Sequence, residues 1–295
     1  MTKKTRKQSD KSRSQATQPD GQPSRFLHEL RSLGIIVLIA LALRATVVEA
    51  YIVPTGSMEK TIMIGDFLIG NKFIYGMRTP DWLGIPYTRL GFSIPWLRFP
   101  AFRQPRSGDV VIFKYPHDPQ DKYVKRLIAG PGQTVEIRER EILVAGESFY
   151  HPEHLQFLER KSQPEDWIDP NIFPRGNGNK DHYGLLRVPS EGDTLSAAHD
   201  QVVLWYVARM DGHTPHLVRN QIFLDDQPIT QYVVEQDYYF MMGDNRDQSY
   251  DSRFWGFVPH DHILGEALFV YFSLDFKRFP YITWNRLKRI GSVIH

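Results

Sequence analysis

The chain has 295 residues, 41% of them hydrophobic, and a formal charge of +2, enough apolar content for one large packed domain or two small ones. Cysteine is absent, which excludes a disulfide framework, a thiolate metal site and a thiol nucleophile. The small net charge hides an uneven distribution, because residues 1–32 hold eight Lys or Arg against three Asp or Glu.

Residues 1–32 are too polar to bury a core of their own and read as a disordered, basic cytoplasmic tail. The segment that follows explains the basic excess better than a nucleic-acid-binding arm does, so no nucleic acid is expected as a partner. From Leu33 to Leu43 every residue is apolar or glycine, and the pattern continues to Val53, diluted by Arg44, Thr46 and Glu49. As a helix, residues 33–53 would extend about 30 Å, with Arg44 costing roughly 2.5 to 3.5 kcal/mol unless it snorkels. A cleaved signal peptide and a buried core helix compete with a signal anchor. The long basic region and the poor cleavage site in EAYIVP favour the anchor. The prediction is therefore one N-terminal transmembrane helix over 33–53, with the N-terminus cytoplasmic and residues 54–295 extracytoplasmic by the positive-inside rule.

Beyond Pro54, short runs rich in Val, Ile, Phe and Tyr are separated by Gly, Pro and Asp: DFLIGNKFIY, GDVVIFKY, DKYVKRLIAG, TVEIRE, REILVAG, QVVLWYVARM, NQIFLDD, YYFMMG and ILGEALFVYFS. They predict a mainly β body without a long helical stripe, apart from the final turn or two in ITWNRLKRIGSVI. Residues 76–107 read as an irregular loop whose aromatics either rest in a membrane interface or pack on themselves. Residues 146–235 read as an insertion or second β domain. The C-terminal FKRFPYITWNRLKRIGSVIH mixes five Lys or Arg with aromatics, and reads either as a solvated basic edge or as a surface for anionic lipid.

Ser57, in VPTGSMEKTI, follows the apolar run directly. A serine hydroxyl is a weak nucleophile until a positioned base takes its proton. None of the eleven histidines lies in a distinctive motif, and the G-x-S-x-G elbow is missing. A lysine works as the base only when burial lowers its pKa. In YVKRLIAGPG, strand alternation places Tyr123, Lys125 and Leu127 on one face, and Val124, Arg126 and Ile128 on the other. Lys125 is thus flanked by apolar surface, although a solvated strand lysine is the plainer alternative. The third segment, GDNRDQSYDSRFWGFVP at 243–259, supplies acceptors for Arg126 and a hydroxyl for the lysine. It lacks the spacing and terminal glutamate of a calcium loop, so no metal is expected.

PTGSM at 54–58, YVKRLIAGPG at 123–132 and GDNRDQSYDSRFWGFVP at 243–259, in that order after an anchor, resemble bacterial type I signal peptidases, and SGDVVIF at 107–113 resembles a fourth box of that family. The resemblance implies Ser57 as nucleophile and Lys125 as general base. It also implies the Ser57 N–H and the Thr55 hydroxyl as oxyanion donors, and Ser249 as the hydroxyl that orients the lysine. Arg126, Asp244, Asp251 and Arg253 match structural ion-pair positions. Tyr51, Val53, Met58, Ile62, Tyr123 and Val124 match shallow apolar pockets that select Ala-x-Ala. The implied fold is an antiparallel β-barrel-like body of two β domains. The implied protein needs no cofactor or metal and works as a monomer in the cytoplasmic membrane, near the secretion translocon, in contact with lipid and with signal peptides of exported preproteins. Two features depart from the family: Glu59-Lys60-Thr61 follows Met58 where a proline and a threonine are common, and one membrane segment stands where some members have two. A self-cleaving Ser/Lys protein of the repressor type and a catalytically silent membrane-anchored β domain are the alternatives.

Overall fold

The computed structural model describes the backbone of residues 25–46, 48–84, 90–150, 152–219, 221–277, 279 and 281–295; the N-terminal tail lies outside the described residues. Helix α1 covers Arg25–Thr46, which at 1.5 Å per residue is about 33 Å long. Strand β1 (Val48–Ile52) begins two residues later. The expected 33–53 helix is therefore shifted: it starts earlier, and its last third is a strand. Glu49 and Tyr51 carry the reason: the extended backbone puts both on one face, where the Tyr51 hydroxyl donates to Glu49, and Lys122 reaches the same carboxylate from a distant strand. Leu33 and five consecutive residues, Ile35 to Ile39, are exposed, so that stretch of α1 is apolar on every side, while His28, Glu29 and Arg31 make its first two turns polar. Among the described residues no helix is long and apolar enough to cross a membrane.

Residues Leu43–His295 form one compact unit. Its frame is a seven-stranded sheet in the order β1, β2 (Asp66–Asn71), Ile263–Ser273, Val110–Tyr115, Asp118–Ala129, Tyr238–Met242 and Val258–Pro259. All its pairings are antiparallel. β1 and Val258–Pro259 are edge strands that do not pair with each other, so the sheet is open where a barrel-like closure was expected. A four-stranded sheet (Tyr183–Arg187, Thr134–Arg138, Glu141–Val144, Glu147–Ser148) and small two- and three-stranded sheets complete the β structure.

Three apolar clusters fill the unit. One lies under β1 and β2 (Tyr51, Val53, Met58, Ile62, Leu68, Ile112). A second lies across the sheet (Val111, Phe113, Leu127, Tyr239, Trp255). The largest joins the sheet's far end to the four-stranded sheet (Ile128, Val135, Ile142, Tyr183, Phe240, Phe257).

Two sequence expectations change here. QVVLWYVARM is helix α2 (Gln201–Met210), not a strand, and it buries Leu204, Val207 and Ala208 at helical spacing. The run VVLWYVA is apolar at every position, so periodicity alone does not separate the two states, and packing into the largest core decides. Residues 76–107 contain a small hairpin of Trp82–Gly84 and Gly91–Ser93. Arg78 and Arg98 tie that segment to the body through the carbonyls of His260, Asp261 and Ile263, and Arg78 lies 4.0 Å over the Trp96 ring.

Candidate active site

The turn that carries Ser57 is shaped by its neighbours in sequence. Pairing with β2 continues as far as Val53, whose N–H donates to Asp66 O and whose carbonyl accepts from Gly65 N, both at 3.0 Å. Pro54 has no N–H to extend the ladder, and the chain turns. Glu59 N donates to Gly56 O at 3.0 Å and Ile62 N to Met58 O at 2.7 Å, closing one helical turn. Lys60 takes the left-handed φ of 75° within it. The turn leaves Ser57 only 8% exposed.

Lys125 lies in the strand Asp118–Ala129, opposite Val111. The alternation read from sequence holds: Tyr123 and Leu127 join the Phe113–Trp255 cluster, while Val124 packs with Tyr51 and Val53. Lys125 is 3% exposed. Its Nζ donates to Ser57 Oγ in a short hydrogen bond and lies 5.9 Å from the Tyr123 ring centre. Burial pushes the Lys125 pKa down to about 8; Asp251 and Asp244 pull it up and Arg253 pushes it down. A lysine in this state is a base near neutral pH, within reach of a hydroxyl proton.

The loop after Tyr238–Met242 surrounds this pair with buried charge. Arg126 makes a two-pronged ion pair with Asp244, Nε to Oδ1 at 2.8 Å and Nη2 to Oδ2 at 2.7 Å. Thr61, from the Ser57 turn, donates to the same carboxylate at 2.6 Å. Asp251 caps α3 (Ser252–Trp255) by accepting from Arg253 N, and it holds the Arg253 guanidinium through both oxygens at 2.9 Å. Burial works to raise the Asp251 pKa, but Arg253, with smaller help from Lys125 and Ser249, holds it below the ordinary carboxylate value. Gly243 is where the loop touches the turn: a Cβ there would lie 2.3 Å from Ser249 Oγ and 2.4 Å from Ser57 O. Only glycine permits that approach.

The model of the family described as "Signal peptidase, peptidase S26" matches residues 27–272. The chain belongs to that family. It is accordingly a serine endopeptidase that removes signal peptides from preproteins. The signal peptidase I of Aquifex aeolicus is 29% identical over 83% of this chain and 84% of its own. That of Pseudomonas aeruginosa is 31% identical over 81% of this chain and 69% of its own. Among solved structures, a signal peptidase I from Enterococcus faecalis aligns with 56% of this chain and 97% of its own at 21% identity, with a TM-score of 0.31.

For a peptidase of this family, the structure gathers most but not all of the residues singled out from sequence. Tyr51, Val53, Met58 and Ile62 share one apolar cluster, with Val124 against it. Tyr123 lies apart from them, stacked on Tyr115 at 4.7 Å in the cluster on the Lys125 face. Ser249 is buried beside Asp251, but no hydrogen bond joins it to Lys125; the lysine is held by Ser57 and by surrounding charge instead. Thr55 is exposed, two residues before Ser57. Among the described residues no histidine bonds to Ser57, and no group of His, Asp and Glu is arranged to hold a metal ion.

Several residues not chosen from sequence support the site. Glu49 accepts from the Tyr51 hydroxyl at 2.8 Å and from Lys122 at 2.7 Å; burial opposes its ionisation, yet Lys122 and Lys72 hold its pKa at about 2. Asn245 bonds to the Ser57 turn. The stretch around Gln156 lies along the loop, with Gln156 N donating to Asp244 O at 3.0 Å and Arg246 N to Gln156 O at 3.1 Å. Lys180 and the N–H groups of Leu158 and Glu159 grip Asp247. An amide beside the Gly-Asp pair was a local signal for Asn245. Nothing local marked Gln156 or Lys180, which reach the loop only through the fold of the insertion.

Proposed function

We propose that Ser57 is the nucleophile and Lys125 the general base of signal-peptide cleavage. The observation that carries this is a buried lysine, with its pKa depressed to about 8, hydrogen-bonded to a serine hydroxyl. Neutral Lys125 takes the Ser57 proton as Oγ bonds to the scissile carbonyl carbon. The carbonyl electron pair moves onto oxygen, toward the Ser57 N–H and the Thr55 hydroxyl. Collapse of the adduct breaks the C–N bond, and the Lys125 ammonium returns the proton to the leaving amine. Water then hydrolyses the acyl-serine with the lysine again as base. The apolar cluster of Tyr51, Val53, Met58, Ile62 and Val124 lies beside the turn and suits small side chains ahead of the cut.

The test is incubation of the detergent-solubilised full chain with a preprotein, followed by sequencing of the new N-terminus. Ser57→Ala and Lys125→Ala should each abolish cleavage while the protein stays folded, and processing by either variant rejects the pair. Thr55→Ser should be tolerated and Thr55→Ala should slow turnover.

We propose in addition that α1 attaches the enzyme to the cytoplasmic membrane, with the catalytic unit on the extracytoplasmic side and the basic N-terminus inside. Apolar exposure on every side of α1 between Leu33 and Ile39 favours a lipid surround, and the basic excess ahead of it favours that orientation. Because the chain has no cysteine, single cysteines introduced at Ser14 and His199 report their sides to an impermeant thiol reagent. Labelling of the first from outside intact cells refutes the orientation.

A further inference from the structure

We infer that Asn245 is a positioning residue that aims the Ser57 N–H at the developing oxyanion. This rests on Ser57 being the nucleophile and its N–H an oxyanion donor. A trans peptide unit is planar, so the carbonyl of residue 56 and the N–H of residue 57 point in opposite directions. Two donors pin the Gly56 carbonyl: Asn245 Nδ2 at 3.0 Å and Glu59 N at 3.0 Å. The Ser57 N–H is thereby turned away from the loop that holds Asn245, and among the described residues nothing accepts it. The next peptide plane is fixed by the same residue, since Asn245 N donates to Ser57 O at 3.0 Å.

The orientation of the Asn245 amide is itself determined. Nδ2 lies between two acceptors, Gly56 O and Gln248 Oε1, the latter at 3.3 Å. Turned over, the amide would set its oxygen against both. Asn245 is fully buried, and its backbone is bridged to Gln156 on the side of the insertion. A donor aimed before the substrate arrives stabilises charge without reorganising during the reaction, which gives Asn245 its leverage without touching the substrate.

The test uses the full chain in detergent, a cleavable Ala-x-Ala peptide, the matching uncleavable peptide, and the matching peptide aldehyde, whose adduct with a serine carries the oxyanion. Asn245→Ala and the isosteric Asn245→Asp, which lacks the donor, should lower kcat on the order of tenfold to a hundredfold and leave KM within about twofold. Aldehyde affinity should fall by the same factor as kcat/KM, while binding of the uncleavable peptide and, in the neutral Asn245→Ala variant, the pH midpoint of the rate stay in place. Gln248→Ala, an exposed change, should move kcat and aldehyde affinity in the same direction by less.

Wild-type kcat in a folded Asn245→Ala protein overturns the inference, as does an equal loss of aldehyde and uncleavable-peptide binding. If both Asn245 variants fail to fold, unchanged kcat and aldehyde affinity in Gln248→Ala overturn it. Cleavage by Ser57→Ala would instead overturn the reading on which the inference rests.

Discussion

Replacing Lys125 by methionine separates what this residue does for chemistry from what it costs the fold. Burial lowers the Lys125 pKa from 10.5 to about 8. Between those values the unfolded chain binds a proton that the folded chain does not, so wild-type stability rises with pH across that window and is lowest below it. At about 1.4 kcal/mol per pKa unit, the penalty at neutral pH is about 3 kcal/mol. Lys125→Met keeps the length of the stem and removes the ammonium. Relative to wild type it should gain about 3 kcal/mol more at pH 7 than at pH 10.5, with a constant loss of about 1 kcal/mol for the Ser57 hydrogen bond superimposed. Urea denaturation of both full chains in detergent, followed by tryptophan fluorescence from pH 6 to 10.5, measures the difference curve. Cleavage should be lost at every pH. A flat difference curve, or one in which the methionine advantage grows with pH, would refute burial as the source of the depressed pKa.

The rate should follow the same group: kcat/KM rises with pH through a midpoint near 8 as Lys125 loses its proton, and a profile that falls over that range excludes a lysine base. Asp251 raises and Arg253 lowers the Lys125 pKa, so Asp251→Asn should move the midpoint down and Arg253→Met should move it up, as read from kcat/KM profiles. Because Asp251→Asn also leaves a buried guanidinium unpaired, its unfolding free energy should drop by about 3 to 5 kcal/mol. Gly243→Ala forces a Cβ against Ser57 O and Ser249 Oγ; single-turnover assays should show a slowed acylation step even where the melting temperature changes little. Leu204→Ala, in the fully buried stripe of α2, should cost about 2 to 5 kcal/mol in urea titrations while leaving KM unchanged.

The chemistry of this protein was legible from short stretches whose meaning does not depend on the fold. A serine in PTGSM, a lysine alternating with apolar residues in YVKRLIAG, and arginines and aspartates at fixed offsets in GDNRDQSYDSR carry the resemblance to signal peptidases, the family to which the chain belongs. Strand alternation, a local property of the backbone, correctly separated the two faces around Lys125. The tertiary structure decided everything that turned on competing burial. QVVLWYVARM became a helix because the largest core buries Leu204, Val207 and Ala208 together, and its unbroken apolar text suits either state. Glu49 reads as a flaw in an apolar helix, yet it belongs to β1, where Tyr51 of the same strand and Lys122 from a distant one both donate to it. Ser249 matched a family position by its spacing, and the fold buries it against Gly243, where only the absence of a Cβ leaves room for its hydroxyl. Asn245 stands in a stretch read closely for its charges, while its hold on the Ser57 turn spans 189 residues of sequence. Residue type and spacing therefore specify which groups the reaction has at hand. Their aim depends on hydrogen bonds between segments far apart in the chain, and those exist only once the sheet has brought the segments together.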